Sequence, residues 1–175
     1  MPGDLSAAAF WLVAGAIHPD AELRLAGVST NPTRRVVIDL LRRMGARIEE
    51  QPRPVPADAD GEPVADLVVR SSELRAIDLG PDDVAAAIDE IPVLCLAAAV
   101  ATGTTRIAGA GELRHKESDR LEGVAAGLRA MGARVRVEGD NLTITGGARL
   151  RGRPTDARDD HRLAMTFAVA ALVAD

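Results

Sequence analysis

The chain has 175 residues, of which 47% are apolar, and a formal net charge of −5 at pH 7. This length suits one compact domain with its own hydrophobic core. With one Trp, two Phe and no Tyr, the core must be built mainly from Ala, Val and Leu. The acidic balance, and the lack of any Lys/Arg run longer than a pair, argues against a nucleic-acid-binding surface.

Cysteine content and apolar runs indicate a cytoplasmic protein. The single cysteine, Cys95, lies in an apolar stretch, which excludes an internal disulfide and favours a buried residue over a reactive thiol. The N-terminus lacks the basic and apolar regions of a signal peptide. The longest apolar run, residues 84–101, is interrupted by Asp89, Glu90 and Pro92, so we expect no membrane segment.

Three segments repeat one pattern, in which acidic residues precede a helix of small apolar residues. They span residues 3–17 (GDLS, then AAAFWLVAGAI), 89–101 (DEIP, then VLCLAAAVA) and 159–174 (DDHR, then LAMTFAVAALVA). Asp and Ser favour helix starts, and acidic groups there oppose the positive end of the helix dipole. Each helix is apolar on nearly all sides, so we expect all three to be buried, with Trp11 packed in the first.

The segments between these helices also repeat. The first is predicted to form a strand at 22–28, an amphipathic helix at 35–44, and strands at 46–49, 66–70 and 74–77. The second is predicted to form a strand at 104–108, an amphipathic helix at 117–131, and strands at 134–138 and 142–145. Both amphipathic helices end in an LRxMGA phrase, whose glycine (Gly45 or Gly132) is the expected helix-terminating residue.

The repeat predicts how the chain is divided. We expect a first unit at 1–80, a second at 81–150 and the start of a third at 151–175, with the Pro- and Asp-rich residues 51–61 forming a surface loop. Because both ends of the sequence are abrupt, we expect one incomplete lobe of a longer protein.

The densest polar stretch is residues 112–120 (ELRHKESDR), at the predicted start of an amphipathic helix. Lys116 and Arg120 are four residues apart and would share one helix face. By itself this stretch is typical of a solvated first helical turn. If the repeat brings the helix starts together, however, Lys116, Arg120 and Arg162 converge into an electropositive site for phosphate or carboxylate. Asp89 and Glu117 would then supply carboxylates for proton transfer.

Six strings occur in an order that resembles the 5-enolpyruvylshikimate-3-phosphate synthase family: PGDLSAAAF, LRRMGA, DEIP, ELRHKESDRL, LRAMGA and DDHRLAM. The resemblance covers nearly the whole chain, and KESDR followed by DHR is its most specific part. It implies an α/β (α+β) fold, an enolpyruvyl transferase-like lobe of repeated βαβαββ units packed around buried parallel helices (an inside-out α/β barrel). This chain would supply just over two units of the C-terminal lobe.

The resemblance also implies a reaction of the shikimate pathway to aromatic amino acids. The family transfers the enolpyruvyl group of phosphoenolpyruvate to the 5-hydroxyl of shikimate 3-phosphate and releases phosphate. By position, Asp89 would act on the 5-hydroxyl, Glu117 on the methylene carbon, and Lys116 on the shikimate side. Arg120 and Arg162 would bind phosphoenolpyruvate, in the site that glyphosate is expected to occupy. No metal or organic cofactor is implied.

The family's site also needs an N-terminal lobe that this sequence does not contain, so we expect the chain alone to be inactive. One alternative is a lobe of the UDP-N-acetylglucosamine enolpyruvyl transferase, whose pattern has a catalytic Cys and lacks KESDR. Another is a non-catalytic α/β binding scaffold. A scaffold would leave Lys116, Arg120 and Arg162 scattered, whereas a catalytic lobe needs them together with Asp89 nearby. His161 is expected to cap or orient its helix rather than to react.

Overall fold

The structure, a computed structural model, describes residues 1–54 and 62–175. The α-helices are α1 (Leu5–Ile17), α2 (Val36–Arg43), α3 (Pro81–Ala86), α4 (Ile91–Val100), α5 (Arg120–Ala130) and α6 (His161–Ala171). The strands are β1 (Glu22–Ser29), β2 (Arg47–Pro52), β3 (Val64–Arg70), β4 (Asp78–Leu79), β5 (Thr104–Ile107), β6 (Arg134–Glu138) and β7 (Asn141–Thr145). A short 3-10 helix covers Gly111–His115.

The structure covers only part of the loop predicted at 51–61. Residues 55–61 lie outside the described residues, and Gln51 and Pro52 belong to the end of β2. Among the described residues, the chain has no helix with the length and apolar character needed to cross a membrane.

The strands of the described residues form two sheets in which most neighbouring strands are antiparallel. Together with the helices, they make the mixed α/β architecture that the sequence predicts, which confirms the fold class. The first sheet has the order β1-β3-β2, and the second has the order β4-β5-β7-β6 with β4 and β5 parallel. The strand predicted at 74–77 is wrong, because Arg75 makes only an isolated bridge to Thr102 and the strand forms at Asp78–Leu79 instead. Because β4 pairs with β5, the second sheet includes Asp78 and Leu79, which the sequence assigns to the first unit. The division of the chain into units stays a prediction.

The LRxMGA phrase ends two helices in the same way. Gly45 and Gly132 both have a φ of 96°, a left-handed conformation that glycine adopts without strain. Met44 and Met131 before them are each 2% exposed, as core residues. The carbonyl groups of both methionines accept a hydrogen bond from an arginine N–H further along the chain, Arg75 at 2.8 Å and Arg151 at 2.9 Å. The repeat in the sequence therefore corresponds to a repeat in backbone hydrogen bonding.

Three helices, α1, α4 and α6, contact one another pairwise at the centre of the molecule. The last residues of α1 and α4, Ile17 and Val100, line one cavity, while the starts of α4 and α6 meet through Asp89 and Arg162. The helices therefore run in the same direction and begin at the same end. This arrangement confirms the predicted convergence of helix starts.

Burial of these helices differs from the prediction on one side of the molecule. Every residue from Ile91 to Ala99 in α4 is buried, as expected. Trp11 in α1, however, is 58% exposed, and Leu172 just after α6 is 54% exposed. The prediction that Trp11 packs in the core is wrong, because α1 and α6 each present an outward face that none of the described elements covers.

Candidate active site

The polar stretch 112–120 does not form one continuous helix. Residues 111–115 make the 3-10 helix, Lys116 has extended backbone angles (φ −81°, ψ −160°), and α5 begins at Arg120. The cause is Asp119, whose carboxylate accepts a hydrogen bond from the Glu122 N–H at 3.0 Å and so caps the helix at that point. The prediction of a helix from residue 117, with Lys116 and Arg120 on one face, is therefore wrong.

Arg120 lies at the centre of the cluster that the structure forms instead. Its side chain is 1% exposed and donates from all three nitrogens of the guanidinium group. Nε donates to Asp160 Oδ2 at 2.7 Å, Nη1 to Asp89 Oδ1 at 3.0 Å, and Nη2 to Glu117. Hydrogen bonds between two charged groups are stronger than those between neutral groups. Arg120 therefore joins the start of α4, the loop before α5 and the start of α6.

The ion pair of Arg120 with Asp160 is fully buried, and the pKa values of both groups respond. Burial alone would lower the pKa of Arg120, but the hydrogen bond and charge of Asp160, together with the charges of Glu117 and Asp89, outweigh it, and the pKa is raised. Burial alone would raise the pKa of Asp160, but Arg120 and the Arg162 N–H outweigh it, and the pKa is lowered. Both groups are thus held in their charged forms.

Asp89 is the carboxylate on which the remaining cations converge. Lys116 Nζ lies 3.7 Å from Asp89 Oδ1, and Arg162 Nη2 lies 3.8 Å from Asp89 Oδ2. Arg162 Nη1 also lies 3.4 Å from the Asp89 carbonyl oxygen and 3.7 Å from Glu90 Oε1. These contacts are looser than those of Arg120. The side chains of Lys116 and Arg162 can therefore turn toward a ligand at little cost in hydrogen bonding.

The structure brings together all five residues that the sequence selected: Asp89, Lys116, Glu117, Arg120 and Arg162. It also adds carboxylates. With Glu90 and Asp160 included, four carboxylates face three cations, so the charges of the side chains do not by themselves make the site positive. The dipoles of α4 and α6 add partial positive charge at this end, but their first N–H groups are largely used, because Pro92 has none and those of Arg162 and Leu163 donate to Asp160.

Glu90, Asp160 and Ser118 belong to the cluster, but sequence reasoning did not place them in the site. For Asp160 the sequence indicates only the general preference of Asp for helix starts, yet its second oxygen accepts hydrogen bonds from Arg120 and from Ser118 Oγ at 3.1 Å. The contact between Asp160 and Arg120 joins residues 40 positions apart, so no local pattern could reveal it. His161 is exposed as the first residue of α6, and the capping role expected of it belongs to Asp160.

Comparison with known proteins identifies the family. The family model described as EPSP synthase (3-phosphoshikimate 1-carboxyvinyltransferase) matches residues 1–175. A 3-phosphoshikimate 1-carboxyvinyltransferase from Roseiflexus sp. (strain RS-1) is 54% identical over 173 residues, which are 99% of this chain and 39% of the relative. One from Gloeobacter violaceus is 52% identical over 174 residues, 99% of this chain and 40% of the relative. The chain thus spans about two fifths of the length of the curated relatives it matches.

Solved structures agree with this result. An EPSP synthase from Acinetobacter baumannii matches with a TM-score of 0.92 and 40% sequence identity, over 100% of this chain and 40% of that one. The enolpyruvyl transferase NikO from Streptomyces tendae matches with a TM-score of 0.67 over 99% of this chain and 37% of that one, and its 23% identity supports a shared fold alone. The chain therefore belongs to the EPSP synthase (3-phosphoshikimate 1-carboxyvinyltransferase) family.

Proposed function

We propose that this chain is one lobe of a 3-phosphoshikimate 1-carboxyvinyltransferase, and that the cluster around Asp89 is its half of the active site. The observation that carries the proposal is the meeting of Lys116, Arg120 and Arg162 around Asp89, at the shared end of α4 and α6. A non-catalytic scaffold would have no reason to hold three cations against one partly exposed carboxylate beside the starts of two buried helices.

Each side chain has a role that fits its contacts. Arg162, which lies 3.8 Å from Asp89, turns to the phosphate and carboxylate groups of phosphoenolpyruvate, and Lys116, 3.7 Å from Asp89, turns to the hydroxyl side of shikimate 3-phosphate. Arg120 stays fixed, and its terminal N–H groups, which donate to Asp89 and Glu117 in this structure, become available to the phosphoenolpyruvate anion when those two carboxylates turn to the substrates. As these cations move to the ligand, Asp89 is freed to accept the proton of the 5-hydroxyl of shikimate 3-phosphate.

The proposed reaction has an addition and an elimination. In the addition, the 5-hydroxyl oxygen bonds to C2 of phosphoenolpyruvate while the methylene carbon takes up a proton, which gives a tetrahedral intermediate. In the elimination, the resulting methyl group loses a proton and the bond to phosphate breaks, which restores the enol double bond. Glu117, whose side chain is 54% exposed, is the carboxyl group proposed to give and take the proton at that carbon.

Cys95 argues against the alternative of a UDP-N-acetylglucosamine enolpyruvyl transferase. It lies in the middle of α4 with 0% exposure, and burial raises the pKa of its thiol to about 12. A thiol in that position is neither ionised nor accessible, so it cannot be the cysteine that this alternative requires.

The chain holds only part of the site in this proposal, so ligand binding is the first test. We expect phosphoenolpyruvate, titrated into the 15N-labelled chain, to shift the backbone amide signals of residues 116–120 and 161–163, with weak affinity. Arg162→Ala should abolish these shifts. Arg106→Ala, which removes a 67%-exposed arginine on β5, is the control and should leave them unchanged.

Two outcomes would contradict the proposal. One is a set of shifts centred on the arginines of β6 and α5, Arg134, Arg136 and Arg129, which would show binding to an unrelated basic surface. The other is binding that survives Arg162→Ala. A separate assay follows phosphate release after shikimate 3-phosphate is added, and we expect none, because the partner lobe that would close over the ligands is not in this chain. The absence of a nucleic-acid partner and the cytoplasmic location remain predictions.

A further inference from the structure

Asp160 is a buried carboxylate beside the site to which the proposed reaction assigns no role. Its side chain is 0% exposed, and its two oxygens have different partners. Oδ1 accepts hydrogen bonds from the Arg162 N–H at 2.8 Å and the Leu163 N–H at 3.4 Å, which cap α6. Oδ2 accepts from Arg120 Nε at 2.7 Å and from Ser118 Oγ at 3.1 Å. Oδ1 therefore caps α6, and Oδ2 binds side chains of the candidate site.

We propose that Asp160 is a positioning residue for Arg120, an inference that rests on the function proposed above. The bond from Nε fixes one edge of the planar guanidinium group, so the two terminal nitrogens must point toward Asp89 and Glu117. A free arginine side chain would lose rotamer entropy on binding an anion. An arginine already fixed by a buried carboxylate avoids that loss.

The backbone before Asp160 supports a role beyond capping. Arg158 and Asp159 have φ values of 53° and 56°, in the left-handed region that side chains other than glycine rarely adopt. The Asp160 N–H closes this turn by donating to the Ala157 carbonyl at 2.9 Å. Such strain persists only where the surrounding structure enforces it. A cap alone does not require a strained turn, as α1 demonstrates.

Asp4 of α1 provides that comparison and a matched control. Its carboxylate accepts hydrogen bonds from the N–H groups of Ser6 and Ala7, both at 3.1 Å, so it caps a central helix as Asp160 does. The structure shows it in no ion pair with an arginine, in the described ranges 1–54 and 62–175. Asp4→Asn therefore tests the loss of charge at a helix cap without the effect on a guanidinium group.

The first measurement is hydrogen exchange at the Arg120 Nε–H by 15N NMR, with the signal assigned from Arg120→Lys. In the parent chain we expect this proton to exchange at least about tenfold more slowly than the Nε–H of exposed Arg106. Asp160→Asn should remove the protection, because its Oδ can still cap α6 while an NH₂ group would face Nε. Exchange at Arg120 as fast as at Arg106 in the parent overturns the proposal, even if Asp160→Asn fails to fold.

The second measurement is the affinity for phosphoenolpyruvate from the same amide titration. We expect Asp160→Asn to bind about tenfold more weakly or worse, and Asp4→Asn to bind as the parent does. Unchanged affinity in Asp160→Asn would overturn the positioning role. If the parent itself shows no binding, the proposed function fails, whereas the Nε–H exchange still decides whether Asp160 holds Arg120.

Discussion

The two sheet-and-helix regions of this chain follow the same order of elements, yet only the second forms the candidate site. Between β1 and α2, residues 30–35 make a short connection, and Arg34 extends to the start of α1 with one hydrogen bond, 3.1 Å from Ser6 Oγ. Between β5 and α5, residues 108–119 make a longer connection that contains the 3-10 helix and the KESDR loop. The repeated elements supply the scaffold, and the candidate site lies where the second copy departs from the first.

The largest expected effect is a difference in stability between variants at Arg120 and at Arg34. Arg120→Met leaves Asp160 buried without its cation, and we expect the free energy of unfolding to fall by about 3–5 kcal/mol. Arg34→Met removes an exposed side chain with one neutral partner and should change stability little. Urea denaturation followed by circular dichroism measures both. Equal losses of stability in the two variants would show that the buried ion pair contributes no more than the exposed contact of Arg34.

The two amphipathic helices differ in how closely they are packed. Gly127 of α5 stands four residues before Met131, where α2 has Leu40 four residues before Met44. A Cβ at residue 127 would overlap the ring of Phe167 in α6, so the second helix needs a glycine at a position where the first has a leucine. The close approach of α5 to α6 is what brings Arg120 next to Asp160.

Gly127→Ala tests this packing difference. Helix propensity alone would favour alanine by about 1 kcal/mol. We expect instead a net destabilisation of about 1–3 kcal/mol, because the ring of Phe167 must move within a packed core. Thermal unfolding measures the difference. A stabilised variant would show that the helices can separate without cost and that the glycine serves no packing purpose.

Two carboxylates, Asp66 and Asp160, have pKa values that arginines lower. They differ in how exposed those arginines are. Asp66 in β3 accepts hydrogen bonds from Arg24, from Arg53 and from the Gly27 N–H, and these hold its pKa well below the usual range. Arg24 and Arg53 are 64% and 49% exposed, whereas Arg120 is 1% exposed. The cations of the first cluster therefore extend into solvent, and that of the second extends into the site.

Acid titration of stability tests the Asp66 cluster. Because the folded-state pKa of Asp66 is below the unfolded value, its contribution is complete above about pH 4 and is lost as pH falls through the folded pKa. We expect Asp66→Asn to flatten the loss of stability below that pH, and 0.5 M salt to weaken the effect because both arginines reach solvent. Identical acid curves for parent and variant would contradict the assignment.

The sequence predicted the scaffold better than the site, and the reasons are local. Gly45 and Gly132 could be recognised as helix ends because only glycine adopts that backbone conformation without strain. Asp119 followed three residues later by Glu122 is a capping pattern that marks the start of α5, but residues 117 and 118 also fit a first helical turn, so the sequence predicts a helix that begins too early. The ion pair of Arg120 with Asp160 could not be read, because it depends on tertiary packing of α5 against α6.

The central helices give the last and smallest prediction. In the repeat, Trp11 of α1 occupies the position of Ala97 in α4, yet Trp11 is 58% exposed and Ala97 is 0% exposed. Because this is the only tryptophan, its fluorescence reports on the outward face of α1 alone. We expect emission typical of tryptophan in water, efficient quenching by acrylamide, and a stability change within about 0.5 kcal/mol for Trp11→Gln. Blue-shifted emission that resists acrylamide would show that this face is covered in solution, and a dependence of that shift on protein concentration would identify a second copy as the cover.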